Sequence, residues 1–100
     1  MTPETPLLLL RVAAAWPLPG LGLLVLPDGP TPYLAACDLH TALAIEAHLP
    51  DGTRLLGSAT VEEVSRTEAT MRSLLLDLEL SRELPVGTTI LLARLASALI

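Results

Sequence analysis

The chain has no phenylalanine, no lysine and a single cysteine, and its only aromatic residues are Trp16 and Tyr33. Single-stranded nucleic acids are held on exposed aromatic platforms, which two rings hardly supply. All six cations are arginines, set against eleven carboxylates for a formal net charge of −5. Arg11, Arg54, Arg66, Arg72, Arg82 and Arg94 are scattered singly, whereas phosphate backbones are bound by clustered cations that release counterions. Nucleic acid is therefore not expected as a partner. The lone Cys37 has no second thiol for an internal disulfide, so nothing points to an oxidising compartment. No G-x-x-x-x-G-K-(S/T) stretch occurs, which removes the phosphate cradle of a GTP or ATP switch. No apolar run reaches the ~18–20 residues of a membrane span. The first ten residues hold Glu4 and no cation, and Arg11 interrupts the apolar stretch before Ala13-Ala14-Ala15, unlike a secretory leader. A cytoplasmic location is expected, and arginine without lysine beside abundant Ala, Leu and Pro reads as a GC-rich bacterial genome.

What the chain does have is aliphatic bulk, with runs such as Leu7–Leu10, Leu23–Leu26 and Leu74–Leu76. One hundred residues fit one domain, large enough to bury roughly 60–70% of its unfolded surface without disulfides or metals. Residues 1–6 read as a flexible polar lead and residues 7–100 as the domain. Pro17–Gly20, Pro27–Pro32, Pro50–Gly52 and Pro85–Gly87 punctuate it with the residues that pre-set turn dihedrals. The segments between them alternate with period two. Leu43, Ile45, Ala47 and Leu49 share a face, as do Leu55, Gly57, Ala59 and Val61, and the Asp51-Gly52 reversal between these runs predicts a β-hairpin. Leu74, Leu76, Leu78 and Leu80 alternate with Leu75, Asp77, Glu79 and Ser81, and the first segment places Leu8, Leu10, Val12, Ala14 and Trp16 on one side. The rival reading is α+β, with helices at about 38–49 and 60–72. Asp38 would cap the first and Pro50 would stop it, and its Ala, Leu and Glu residues favour a helix.

The order of the signals favours strands. Pro19-Gly20-Leu21-Gly22 leads into Leu23–Leu26, a later strand ends in Pro50–Thr53, and Leu74–Leu78 is followed by Glu83-Leu84-Pro85-Val86-Gly87-Thr88-Thr89-Ile90. This pattern resembles the second domain of translational GTPases such as elongation factor Tu, where an apolar strand meets an I-P-G-x-G turn and the domain closes on (D/E)-x-P-x-G-x-x-I. The resemblance spans roughly residues 7–93. It implies an all-β fold, a small six-stranded closed β-barrel standing alone without the GTPase domain. The sequence departs from the pattern between strands two and three: Asp38-Leu39-His40-Thr41 stands where Gly-Asp is usual. Family barrels also contact RNA, an implication that the acidic balance here opposes.

No residue is assigned a catalytic, cofactor-binding or metal-binding role. Cys37-x-x-His40 is half of a zinc site or the start of a Cys/His nucleophile, but no second Cys completes the first and no local signature frames the second. Glu46 and His48 share a strand face, where solvated polar residues are expected, with a polar pair as the alternative. Glu62 and Glu63 with Arg66, and Asp77 and Glu79 with Arg82, read as surface charge. Trp16 is expected in the core, because a chain without phenylalanine needs its one large ring there, an interface anchor being the alternative. The apolar tail Leu91–Ile100 would pack back on the barrel or meet a partner. The function expected is a non-enzymatic interaction module, with a protein partner or self-association, no cofactor and no membrane. A small-ligand-binding accessory domain is the alternative.

Overall fold

The structure, a computed structural model, describes residues 7–67, 69–77 and 84–93. The lead at 1–6, the continuation of the leucine alternation through 78–83 and the tail at 94–100 lie outside the described residues. Among the described residues, six strands and one short helix follow one another: β1 (Leu7–Leu18), β2 (Gly22–Pro27), α1 (Pro32–Ala35), β3 (Ala42–His48), β4 (Arg54–Ser65), β5 (Thr70–Asp77) and β6 (Thr89–Leu92). They pair antiparallel in the order β1-β2-β5-β4-β3-β6 and close into a barrel. None of the helices among the described residues is long and apolar enough to cross a membrane.

The helical alternative at 38–49 and 60–72 does not form. Its first helix would need Asp38 to cap right-handed backbone at residue 40, but His40 has φ 69° and the chain turns there instead. The Asp38 carbonyl accepts bonds from the Thr41 amide (3.3 Å) and hydroxyl (2.7 Å), a local turn that competes with helix. A strand also buries every second side chain of this sequence, which a helix would spread around its axis. Ile45, Ala47 and Leu49 of the first run are buried, and Ala59 and Val61 of the second. The two strands run in register from Ala42 opposite Thr60 to His48 opposite Arg54. Between them, the Gly52 amide bonds the Leu49 carbonyl, the Thr53 amide bonds Asp51 Oδ1, and Gly52 takes φ 94°.

Closure falls to β6. Ile90 faces Leu10 of β1 on one side and Ala47 of β3 on the other, and Thr89 faces Arg11 and His48. The turn feeding it is the predicted one: the Thr88 amide bonds the Pro85 carbonyl (3.1 Å), and Gly87 has φ 95°. The enclosed core is aliphatic, with Val12, Val25, Ile45, Val61, Leu74, Leu76 and Ile90 fully buried. Each such side chain stabilises the fold by ~1.5–3 kcal/mol relative to exposure.

One expectation is overturned in β1. Its register with β6 passes from Leu8 opposite Leu91 to Leu10 opposite Ile90, and its register with β2 from Val12 opposite Pro27 to Ala14 opposite Leu26. Leu9 and Ala13 are therefore extra residues, two β-bulges, and each one reverses which parity faces inward. Leu10 and Val12 point into the core as expected, but Leu8 and Trp16 fall outside, each 49% exposed. Trp16 is not a core residue. The cavity is filled instead by smaller aliphatic side chains, Ala15 among those packed against it.

Three substitutions test this architecture. Gly22 has φ 137°, and a Cβ there would run into the Leu76 carbonyl of the neighbouring strand. Gly22→Ala should cost more than about 1 kcal/mol, measured by urea unfolding. Ile90→Ala, at the closing strand, should cost ~2–5 kcal/mol by the same measurement. Ser73 is fully buried, and among the described residues its hydroxyl has no partner. Ser73→Ala removes that desolvated group and is expected to be neutral or stabilising by up to ~1 kcal/mol, so a clear loss of stability would reveal a partner for the hydroxyl.

Candidate functional site

In a barrel ordered β1-β2-β5-β4-β3-β6, the chain leaving β2 must cross two strands to begin β3. The Asp28 amide first extends the pairing with β1 by bonding the Arg11 carbonyl (3.1 Å). Pro30 and Pro32 then stiffen the connection, and Pro32 opens α1, where its missing N–H costs nothing. Leu34 is fully buried and belongs to the core cluster, so this crossover is pinned to the barrel from one end. The His40 amide returns the chain to the sheet by bonding the Val61 carbonyl (2.6 Å).

Two grooves flank the crossover. One, of about 360 Å³, lies between Leu8–Arg11 of β1 and the Pro27–Pro32 segment. The other, of about 490 Å³, lies between the crossover, from Gly29 to Pro32 with Ala35, and the β4–β5 ribbon at Glu63 and Thr70–Arg72. That ribbon outruns its neighbours. β2 pairs only with Leu74–Leu76 of β5, and β3 reaches only Thr60 of β4, so Glu62–Ser65 and Thr70–Ser73 are paired in those ladders with each other alone. Glu63 faces Arg72 across the ribbon, with Arg72 Nη1 donating to Glu63 Oε2 at 3.4 Å.

The residues singled out for chemistry are dispersed. Cys37 Sγ is directed at the Tyr33 carbonyl (3.4 Å), whereas the His40 ring lies 3.3 Å from Glu62, so the Cys-x-x-His pair does not act on one point. Among the described residues no group of three or more His, Cys, Asp or Glu side chains could hold a metal. Glu62 also accepts a bond from Thr60 Oγ1 (2.7 Å), and it is His40, not Arg66, that it meets. Glu46 and His48 do pair, Nε2 to Oε1 at 2.9 Å, on the half-buried outer face of β3. Asp77 is exposed as expected, while Glu79 and Arg82 lie outside the described residues.

A third feature is apolar. Displaced outward by the bulge at Ala13, Trp16 stands opposite Leu24 of β2, and Leu24 stands opposite Leu75 of β5. Their inward neighbours are Ala15, Leu23, Val25, Leu74 and Leu76, so this row of three lies on the outer surface of the barrel. Leu21, at the tip of the β1–β2 turn, is 67% exposed. The sequence marks that turn through Gly20 and Gly22, which puts Leu21 on a tip, but alternation alone cannot count a bulge. The Glu63–Arg72 pairing was equally out of reach, because the connection 66–69 contains neither Gly nor Pro to announce a hairpin. No family model matches this chain, and no curated protein or solved structure matches it either.

Proposed function

We propose that the chain is a non-enzymatic β-barrel interaction module, a stand-alone relative of the barrel domain of translational GTPases, acting in the bacterial cytoplasm through protein–protein contact. The observation that carries this reading is the outward row of Trp16, Leu24 and Leu75, together with the exposed Leu21 at the tip of the β1–β2 turn. Tryptophan is the side chain most enriched at binding hot spots, and apolar neighbours on adjacent strands exclude water around such an anchor. A large ring placed on the surface of a chain that has so few aromatics is an expense without a folding return. The kinship is supported by the closed six-stranded barrel, which is the architecture the turn pattern implies. The dispersal of Cys37, His40, Glu46 and His48 into separate pairs supports a non-catalytic role.

The second reading, a small-ligand-binding accessory domain, is favoured by the groove of about 490 Å³ beside the crossover, which falls in the size range of small-molecule sites.

Trp16→Ser tests the first reading. Since the ring is half exposed, the variant should keep the wild-type melting curve to within about 1 kcal/mol. It should lose the proteins that the wild type retains in affinity capture and cross-linking, or the dimer mass if the partner is a second copy. A variant that keeps every partner and the same mass in light scattering counts against the row as a contact surface.

A further inference from the structure

We infer that the groove between the crossover and the β4–β5 ribbon binds a small ligand bearing one carboxylate beside an apolar group, with Arg72 as its anchor. The inference rests on the small-ligand reading and names its ligand class and its anchoring residue.

Arg72 precedes the fully buried Leu74 by two residues and so occupies the inward parity of β5. At that level the ribbon has outrun the barrel, and the inward side is bounded by the groove instead of by core. The Arg72 side chain is 23% exposed, against 57% for Arg11, whose ion pair with Asp28 is also long. A guanidinium carries five N–H donors, and burying it is costly unless they are bonded. Among the described residues its one polar partner is Glu63 at 3.4 Å, well beyond the ~2.7–2.9 Å of a strong charge-assisted bond. The remaining donors match a carboxylate, which guanidinium takes with two parallel bonds.

The rest of the groove sets the ligand's other features. Pro30 and Pro32 offer rigid walls without N–H groups, and Ala35 adds a methyl group, so the ligand's body is apolar. Glu63 beside the arginine opposes a second negative charge, which with the net charge of −5 selects a monoanion or zwitterion over a phosphate. N-capped apolar amino acids have this chemistry.

A cross-strand ion pair can also serve only to hold a ribbon, and the experiment separates the two roles. The full chain is titrated with N-acetyl-leucine and with its neutral twin, N-acetyl-leucinamide, while backbone amide signals are followed by NMR. The expected result is saturable shifts at Thr31, Ala35, Met71 and Arg72 with the carboxylate alone, weakening as salt is raised. Arg72→Met should weaken binding at least tenfold, Arg72→Lys should restore part of it, and Glu63→Gln should leave it equal or tighter. If both probes shift the groove equally, or Arg72→Met binds as well as wild type, the anchor is wrong although the groove still takes ligands. If neither probe shifts the groove, this ligand assignment is wrong; binding of some other metabolite, seen as a melting shift across a wider panel, would leave the small-ligand reading standing. Should Arg72→Met fail to fold, loss of binding in Glu63→Gln overturns the proposal on its own.

Discussion

The barrel exists because four residues, Thr89–Leu92, pair along both edges at once. Without that strand β1 and β3 would each present an open edge, a hazard in a chain so rich in leucine. With it the ladder has no end, and Ile90 seals the core between Leu10 and Ala47. The long β1 serves two partners in succession, β6 with its first half and β2 with its second. A strand that turns from one neighbour to the next around a small ring must coil sharply, and the bulges at Leu9 and Ala13 provide that local twist.

The features that invite a functional reading arise where this regularity is interrupted. A single extra residue at Ala13 puts Trp16, the one indole in the chain, on the outside. The strand order forces a crossover over one end, and the crossover's prolines together with the overlong β4–β5 ribbon frame the groove at Arg72.

Side-chain parity made β3 and β4 legible from sequence, since the Asp51-Gly52 reversal and the aliphatic positions on either side agree with each other. The same parity misled in β1, where Leu8, Leu10, Val12, Ala14 and Trp16 look like one face and are divided by two bulges that have no glycine to mark them. Helix α1 was hidden inside a stretch that reads as a turn, although Thr31-Pro32 carries the proline of a first helical residue. The pairs His40–Glu62 and Glu63–Arg72 depend on long-range register, which no local signal encodes. The Glu46–His48 pair, two residues apart on one strand, was within reach.

Cross-strand nuclear Overhauser contacts of β6 test the closed ring most directly. The account predicts that the backbone protons of Thr89–Leu92 meet those of Leu7–Arg11 on one side and of Ile45–His48 on the other, in a single population. Contacts to one side only would mean an open sheet, and the buried position of Ile90 between Leu10 and Ala47 would lose its basis.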